Sequence, residues 1–322
     1  LRLVKGAYWD YEIKHAQVFG YEDYPVYSKK SLTDISFLLC AKEILKNEKI
    51  YAKFATHNAH TISSVHQLGQ GKDYEFQRLY GMGELLYQSA EKVLNLEKKP
   101  SVYAPIGSYK DLLPYLVRRL LENGANSSFI NRLLDPETDA NWLAENPAIR
   151  IEKEKIDIPL PKNIFTERKN SSGFDLSENS NLENLEKSIS AHKKNKINAE
   201  SIYVNRDEKE KVGQKVYSIA NNEEIGTAIF DDPTNVKSAL ENFASEKWSK
   251  YSVQERSQIL IKISDDIEKD PSELIFYLLN EAGKTIQNAI DEIREAIDFL
   301  RYYSRQIIEI HGKKSLQGPT CL

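Results

Sequence analysis

The chain has 322 residues, which is enough for about two domains of ordinary size. Its formal net charge of −4 is close to balance and it has no long basic block, so the composition argues against a nucleic-acid-binding module. No apolar run reaches the roughly eighteen residues of a transmembrane helix, and two widely separated cysteines, Cys40 and Cys321, favour a reducing compartment.

Strand and helix patterns alternate over the first 150 residues. Strands are predicted at 1–9, 50–55, 74–79, 102–107 and, as a further short strand, 126–131. Helices are predicted at 33–47, from about residue 56, at 85–96 and at 108–124. This alternation predicts parallel βα units, and polar residues after the strands favour a (βα)8 barrel with its active site at the strands' carboxyl ends. No GxGxxG motif follows the first strand, which argues against a dinucleotide-binding fold.

The barrel is expected to be incomplete. A full (βα)8 barrel needs about 250 residues, whereas about 140 precede a change of composition near Pro147. The chain also begins with Leu1, has Met82 as its only methionine and ends without a clear terminating element. These features predict roughly half of a barrel and a piece of a longer protein.

The helix predicted at 108–124 carries two stripes of different chemistry, and a capping-box pattern of Ser108 and Asp111 marks its start. The first stripe is apolar and consists of Leu112, Leu113, Leu116, Val117, Leu120 and Leu121. The second stripe consists of Tyr115, Arg118, Arg119 and Glu122. Adjacent guanidinium groups can each grip an oxyanion in two places, so the second stripe suits a small carboxylate or phosphate. The alternative is a solvated face with a weak Arg118–Glu122 pair.

The second half of the chain has a different organisation. Residues 151–200 are rich in Asn, Ser, Glu and Lys, which predicts a linker with one helix near 182–189. A second folded region is predicted at 201–322, with an extended segment or hairpin at 217–230 and helices at 235–247, 253–269, 272–282 and 285–310. The predicted domains are therefore 1–150, 151–200 and 201–322.

Motifs in both folded regions resemble one known family. The first region contains RLVKGAYWD at 2–10, FATHNAH at 54–60, YEFQRLYGMGE at 74–84, YAPIG at 103–107 and YLVRRLLENG at 115–124. In order and spacing these resemble the proline dehydrogenase barrel of the proline utilisation A family of bifunctional bacterial flavoenzymes. Trp248, Arg256, EAGKT at 281–285 and the helix at 292–303 are similar to the start of that family's aldehyde dehydrogenase domain. The resemblance implies an α/β fold: the C-terminal half of the barrel, a linker and the mostly helical N-terminal part of an aldehyde dehydrogenase domain.

The resemblance also implies roles for individual residues. Arg118 and Arg119 would pair with the carboxylate of L-proline, with Glu122 holding them in place. The walls around the pyrrolidine ring would be Tyr8, Leu79, Tyr103 and Tyr115. Arg2 and Tyr8 are the implied catalytic residues, with Arg2 close to flavin N5. The implied FAD-binding residues are Arg2, Lys5, Gly6, Ala7, Thr56, His57, Asn58, Glu122, Ser128 and Phe129.

The implied chemistry is the oxidation of proline to glutamate. Hydride passes from proline C5 to FAD, which then gives electrons to a membrane quinone. The second enzyme uses NAD, and its NAD-binding fold and catalytic cysteine are expected beyond Leu322. The family implies a cytoplasmic location, with peripheral attachment to the inner membrane left open. A complementing fragment or a homo-oligomer is a further expected partner.

Four further expectations concern a metal site, the only cysteine of the first region and two alternative functions. His57 and His60 have the spacing of a chelating pair, but no Cys or acidic residue stands at ligand spacing, so no metal is predicted. Cys40 lies among apolar positions and is predicted to be in the core. An inactive remnant or partner-binding fragment is the alternative function, because half a barrel has unpaired strand edges. A phosphate-binding barrel half is disfavoured, since no Gly-rich phosphate loop follows the strands.

Overall fold

The computed structural model describes residues 1–6, 8–124, 141, 144–153, 158–200, 213–242, 248 and 250–312. The chain divides into two compact units. The N-terminal unit comprises Leu1–Ile13 and Pro25–Ile158, and the C-terminal unit comprises Lys14–Tyr24 and Pro159–Leu322.

A four-stranded parallel sheet organises the N-terminal unit, with its strands in chain order, β1-β2-β3-β4. The strands are β1 (Arg2–Val4), β2 (Ala52–Ala55), β3 (Tyr74–Leu79) and β4 (Ser101–Tyr103). The helices in this part of the chain are α1 (Trp9–Phe19), α2 (Lys30–Lys46), α3 (Ala59–Leu68), α4 (Glu84–Leu94), α5 (Tyr109–Gly124) and α6 (Pro147–Lys153). Each strand pairs with the next along the chain, as in a (βα)8 barrel. The prediction of parallel βα units is confirmed.

One face of this sheet packs against helices and forms the core of the unit. Phe54 of β2 and Phe76 of β3 are buried, whereas the residues on either side of each are only partly buried. Their rings contact Phe37 of α2 and Tyr87 of α4, at centroid distances of 6.4 and 6.0 Å. Burying each aromatic side chain contributes roughly 1.5–3 kcal/mol, so this face holds the helices on the sheet.

The opposite face of the sheet is polar. Because side chains alternate along a strand, the residues between the core positions all point to this second face. We call it the polar face after its polar residues, which are Arg2, Lys53, Glu75, Gln77, Ser101 and Tyr103; Val4, Ala55 and Leu79 lie on the same face. In a (βα)8 barrel, the face opposite the helices is the interior.

The C-terminal unit combines a small sheet with helices. Its strands are β5 (Ile197–Ala199), β6 (Gln214–Tyr217) and β7 (Glu224–Ala228), in the order β5-β7-β6. Its helices are α7 (Asn179–Ala191), α8 (Pro233–Asn242), α9 (Val253–Lys269), α10 (Ser272–Asn280) and α11 (Ile286–Gly312). Strands β6 and β7 are antiparallel, so of the two predicted alternatives at 217–230 the hairpin is observed, although it begins earlier, at Gln214. Strand β5 was not predicted.

Helices α9 and α11 are joined by a buried arginine. Arg301 donates to both carboxylate oxygens of Glu268, at 3.1 and 2.7 Å, and to Asp265 at 2.9 Å. Burial opposes ionisation of Glu268, but the bonds from Arg301 and from the Ser172 backbone outweigh it and lower the pKa of Glu268. The bidentate pair therefore stays charged and fixes the register of the two helices.

Most of the residues predicted as a linker, from Pro159 onward, belong to the C-terminal unit, whereas the described residues before Pro159 belong to the N-terminal unit. Leu185 of α7 is buried in the same core cluster as Ile275, Ile290 and Ile297. Ser171 donates to Asp298 of α11 through its backbone at 3.1 Å and through its hydroxyl at 2.8 Å. The division at residues 150 and 200 remains a prediction about domain roles.

Several predicted elements differ from those observed. The strand predicted at 1–9 ends at Val4, and α1 begins at Trp9, where no helix was predicted. The strand predicted at 102–107 ends at Tyr103, because Pro105 lacks the N–H that a sheet ladder needs. The strand predicted at 126–131 lies outside the described residues, as does Cys321.

The prediction for Cys40 was wrong, because this side chain is exposed. The buried positions of α2 are Ser31, Asp34, Phe37, Ala41 and Leu45. Cys40 directly precedes Ala41 and is therefore turned about 100° away from the buried side of the helix. Residues 38–41 are all apolar, so periodicity alone could not identify the buried side.

Candidate active site

Arg2 reaches the carboxyl end of the sheet from the first residue of β1. Its Nη1 donates to Oε1 of Gln77 at 3.3 Å, and its guanidinium lies 5.5 Å from the ring centroid of Tyr103. Arg2 pairs in register with Lys53, whereas Tyr103 pairs with Leu79 further along the sheet. The long side chain therefore crosses the polar face toward the edge where barrel active sites lie.

Four side chains from β1, β4 and α5 form a continuous row. The Tyr103 ring lies 5.5 Å from the Arg2 guanidinium and 6.2 Å from the ring of Tyr115. The Arg119 guanidinium in turn lies 5.2 Å from the Tyr115 centroid. We call this set the arginine–tyrosine row: Arg2, Tyr103, Tyr115 and Arg119. It offers aromatic walls between two cations, which suits a small apolar ring that carries a carboxylate.

Helix α5 positions the second cation of this row. Ser108 and Asp111 cap its start, with the Ser108 hydroxyl bound to Asp111 Oδ2 at 2.7 Å. Tyr115 and Arg119 are half-buried on one side of the helix, whereas Arg118 is exposed. The structure therefore brings Arg119 into the row and leaves the side chain of Arg118 accessible beside it.

The side chain of Lys5 turns toward the helices. Its Nζ donates to Asp34 Oδ1 at 2.5 Å and to Thr61 Oγ1 at 2.9 Å, and it lies 5.1 Å from the centroid of Phe37. Burial lowers the pKa of Lys5, and Asp34 offsets this only partly. Because the ammonium group is engaged here, only the backbone at Lys5 and Gly6 is left to approach a cofactor.

Asp34 should make the N-terminal unit lose stability in acid. Burial opposes its charge, but Lys5 and Lys30 outweigh this and hold the pKa of Asp34 below its ordinary value. The folded state thus binds fewer protons than the unfolded state, so this stabilisation is complete above about pH 5 and is lost as pH falls through the lowered pKa. We expect Asp34→Asn to lower the free energy of unfolding at pH 7 by roughly 3 kcal/mol, in denaturant titrations, with the deficit shrinking toward pH 3.

A matched control is available for this prediction. Asp73 also pairs with a lysine, Lys98, but both side chains are largely exposed. Asp73→Asn should therefore cost less than about 1 kcal/mol. An Asp34→Asn deficit that stays constant between pH 7 and pH 3 would contradict the assigned role of Asp34.

The turn after β2 is held by a local hydrogen-bond network. Thr56 Oγ1 accepts from the backbone N–H of Asn58 at 3.1 Å, and Asn58 Oδ1 accepts from Thr61 N at 3.0 Å, which caps α3. The Tyr87 hydroxyl donates to the Thr56 carbonyl at 2.8 Å. These bonds hold Thr56, His57 and Asn58 in one fixed turn at the carboxyl end of β2.

The imidazole of His57 has a defined tautomer. The backbone N–H of Leu79 donates to His57 Nε2 at 3.1 Å. Burial, followed by the charges of Arg119 and Arg78, lowers the pKa of His57, so the ring is neutral near pH 7. Because a backbone N–H can only donate, Nε2 is the acceptor and the proton lies on Nδ1. His57 is therefore a neutral Nδ1–H donor.

Gly83 provides the space that the His57 ring occupies. Its φ is +67°, and an added Cβ would lie 2.8 Å from His57 Cδ2. Gly81 has a similar φ of +75°, but an added Cβ there would meet nothing within 4 Å. Gly81→Ala should lower the free energy of unfolding by about 1–2 kcal/mol, because only its backbone conformation is strained. Gly83→Ala should lower it clearly more, as measured by thermal unfolding, and should also shift the NMR signals of the His57 ring. Equal losses from the two variants would show that the ring contact is unimportant.

The remaining predicted residues are not all brought together. Leu79 is half-buried at the end of β3 and linked to His57 as described, and Tyr8 is exposed, with its ring over Gly6. Ala7, Ser128, Phe129 and the side chain of Glu122 lie outside the part of the chain that the structure describes. Among the described residues, no group of three or more His, Cys, Asp or Glu is arranged to hold a metal ion.

Part of the polar face was not predicted from the sequence. Lys53, Glu75, Gln77 and Ser101 carry no motif of their own, yet they form hydrogen bonds across three strands. One signal was available, because Glu75 and Gln77 alternate with the apolar Phe76 in a predicted strand.

Two family models match the chain. Residues 1–132 match the proline dehydrogenase model, and residues 203–320 match the aldehyde dehydrogenase family model. Among curated proteins, the bifunctional protein PutA of Salmonella typhimurium and that of Escherichia coli are each 40% identical over 328 residues, which cover 95% of this chain and 25% of each relative.

Solved structures agree with the curated relatives. A crystal structure of proline utilization A from Bradyrhizobium japonicum covers 99% of the chain with a TM-score of 0.81 and 35% identity. The corresponding structure from Bdellovibrio bacteriovorus covers 99% with a TM-score of 0.82 and 28% identity. The chain belongs to the proline utilisation A family. It spans about a quarter of the length of the curated relatives and 30% and 33% of these two structures.

Membership of the proline utilisation A family confirms the predicted fold class. The parallel sheet and its helices are part of a proline dehydrogenase barrel, and the later region corresponds to the N-terminal part of an aldehyde dehydrogenase domain. The chain is also 33% identical to the 1-pyrroline-5-carboxylate dehydrogenase of Bacillus subtilis over an alignment of 155 residues. That alignment covers 47% of this chain and 28% of that relative. Among the described residues, no helix has both the length and the hydrophobicity that crossing a membrane requires.

Proposed function

We propose that the N-terminal unit contributes to the oxidation of L-proline to 1-pyrroline-5-carboxylate with FAD as cofactor. The C-terminal unit would belong to a second enzyme that oxidises glutamate semialdehyde with NAD. The observation that carries the proposal is the arginine–tyrosine row, which joins four residues from β1, β4 and α5. The proposed division of roles is 1–150 for the barrel, 151–200 for the linker and 201–322 for the aldehyde dehydrogenase part.

The row suits proline because it matches both parts of that molecule. Arg119, with the accessible Arg118 beside it, would bind the carboxylate by charge-assisted hydrogen bonds. Tyr103 and Tyr115 would lie against the apolar ring, with Leu79 and Tyr8 as further walls. These aromatic and aliphatic side chains would also exclude water from the ring carbon that is oxidised.

The donor set at the carboxyl ends fits a flavin. Arg2 supplies a cation on the polar face, and His57 supplies a neutral Nδ1–H donor in a fixed turn. The backbone at Gly6 carries no Cβ and can come close to a planar ligand. When bound, FAD would supply the acceptor for the hydride that proline loses. Arg2 would then stabilise the added negative charge, and Thr56 and Asn58 would keep His57 in place. Ala7, Glu122, Ser128 and Phe129 stay proposed members of this cofactor site.

The wider assignments rest on the relatives. A quinone as electron acceptor, a cytoplasmic location and an NAD site in the aldehyde dehydrogenase part are proposals for the complete protein. The release of 1-pyrroline-5-carboxylate by the first enzyme would supply the second, after hydrolysis opens the ring to the semialdehyde.

The decisive test uses the holoenzyme, by which we mean a full-length, flavin-loaded proline utilisation A protein in which residues 1–322 occupy their aligned place. Anaerobic mixing with L-proline should bleach the oxidised flavin absorbance, and one equivalent of 1-pyrroline-5-carboxylate should form. Bound flavin that keeps its oxidised spectrum in excess L-proline would reject the proposed reaction.

A partner-binding role is the second candidate, and one observation favours it. The apolar stripe of α5 is accessible, with Leu120 and Leu121 about seven-tenths exposed. An exposed stripe of this kind suits contact with another polypeptide. Stoichiometric flavin absorbance of the purified chain would reject a role limited to partner binding, because a chain that acts only as a binding fragment would carry no flavin.

A further inference from the structure

The polar face carries a hydrogen-bonded chain that begins at Arg2. Arg2 Nη1 donates to Gln77 Oε1 at 3.3 Å, and Gln77 Nε2 donates to Ser101 Oγ at 3.3 Å. The Ser101 hydroxyl donates to Glu75 Oε1 at 3.0 Å. Hydrogen bonds therefore link four residues of β1, β3 and β4 one after another, and Arg2, the cation of the proposed cofactor site, lies at one end of this chain.

The direction of this chain is fixed by the chemistry of its two ends. An arginine side chain can only donate, so the Gln77 atom that faces it is the amide oxygen. The Gln77 amide nitrogen must then donate to Ser101. The Ser101 proton has two acceptors, the Glu75 carboxylate at 3.0 Å and the Phe76 carbonyl at 3.4 Å, and the nearer and charged carboxylate is the stronger one. Every donor thus points from Arg2 toward Glu75.

The acceptor end of the chain is held in its ionised form. Lys53 Nζ lies 2.5 Å from Glu75 Oε1, and the Tyr51 hydroxyl donates to Glu75 Oε2 at 2.9 Å. The bond from Lys53 is the largest cause that lowers the pKa of Glu75, with smaller contributions from Tyr51 and Ser101. A carboxylate acceptor held by Lys53 and Tyr51 keeps Ser101, and through it Gln77, in one orientation.

We propose that Gln77 is a positioning residue that holds the Arg2 guanidinium at the carboxyl end of the sheet without cancelling its charge. The role rests on the proposed function, since it gives Arg2 a task toward the flavin. A neutral amide can fix a guanidinium by hydrogen bonding, whereas a carboxylate at the same place would form an ion pair and neutralise it. Ala55 stands between Val4 and Gln77 in the register, and its small side chain leaves room for Arg2 to cross.

The first experiment needs no flavin and uses residues 1–322. The Nη signals of Arg2, assigned with the Arg2→Lys variant, should be resolved in nitrogen-15 NMR spectra because a hydrogen bond slows guanidinium rotation. Gln77→Leu should collapse them into one exchange-averaged signal. The matched control Gln67→Leu removes an exposed glutamine from α3 and should leave them resolved. Arg2 signals that are unchanged in Gln77→Leu would overturn the proposal.

The second experiment measures the holoenzyme. Gln77→Leu should lower the rate of flavin reduction by L-proline about tenfold with little change in KM. Gln77→Glu should lower the flavin midpoint potential, as Arg2→Met is also expected to do, because the new carboxylate neutralises the charge of Arg2. In an Arg2→Met background, Gln77→Glu should shift the potential much less, since residues that act through one another are non-additive.

The positioning role of Gln77 and the flavin contact of Arg2 are rejected by different results. If Gln77→Glu shifts the potential equally with and without Arg2, the positioning role of Gln77 is wrong. If Arg2→Met leaves the potential unchanged while Gln77→Leu still collapses the Arg2 signals, the link between Gln77 and Arg2 holds and the flavin contact of the proposed function is wrong.

Discussion

Replacing Arg118 or Arg119 with Met in the holoenzyme should raise the KM for L-proline by roughly 10- to 150-fold while the flavin stays bound. Each variant removes a charge-assisted hydrogen bond to a desolvated carboxylate, which is worth about 1.5–3 kcal/mol. Methionine keeps much of the length and packing of arginine, so α5 should stay folded. Steady-state kinetics and the flavin-to-protein absorbance ratio measure the two parts of the prediction.

The two arginines have different surroundings in the structure. Arg119 belongs to the arginine–tyrosine row and lies against Tyr115, whereas Arg118 is exposed. Arg119→Met also removes a charge that lowers the pKa of His57. The pKa of His57 should therefore rise in Arg119→Met, which a histidine NMR titration can measure.

A control lies on the same helix. Lys110 is an exposed cation in the first turn of α5, away from the row, and Lys110→Met should leave the KM for proline unchanged. If the KM is unaltered in both arginine variants, the carboxylate role is rejected. The second stripe of α5 would then be an ordinary solvated surface.

The regular elements were largely predictable because their signals are local. The bounds of α9 were predicted at both ends: Ser252 and Glu255 form the capping box that starts it, and Pro271 follows its end. The sheet was predictable because buried Phe76 alternates with polar residues in β3 and because turn residues follow the ends of the strands. Helix α1 was missed because the aromatic residues at its start favour strands, although Asp10 and Glu12 in its first turn were a usable signal.

The site was less predictable because its contacts connect distant parts of the chain. Arg2, Tyr103 and Arg119 meet across two strands and a helix, and only the family resemblance linked them. Alternation shows which residues of a strand share a face, but the register between strands joined by helices depends on the folded unit. Lys5 shows the same limit. It belongs to the first motif that resembles the family, but the sequence does not show that its side chain points toward Asp34.

Arg2→Met in the holoenzyme should lower the flavin reduction potential while the affinity for a non-reacting carboxylate analogue of proline changes little. Reduced flavin carries more negative charge than oxidised flavin, so loss of a nearby cation disfavours the reduced form. The carboxylate would be held by α5, on the other side of Tyr103, and should not depend on Arg2. Potentiometric titration and analogue binding, measured on the same preparation, separate the two effects.

The competing explanation is that Arg2 is a structural residue paired with an acid. Within the described residues, Arg2 forms no ion pair, and its hydrogen-bond partner is the neutral amide of Gln77. A guanidinium held by an amide and an aromatic ring keeps its full charge for a third group, whereas an arginine in an ion pair does not. The flavin reduction potential should therefore change little in Arg2→Lys, because the positive charge remains, whereas it should fall in Arg2→Met. A lowered melting temperature in Arg2→Met with an unshifted potential would assign Arg2 to stability and remove it from the flavin chemistry.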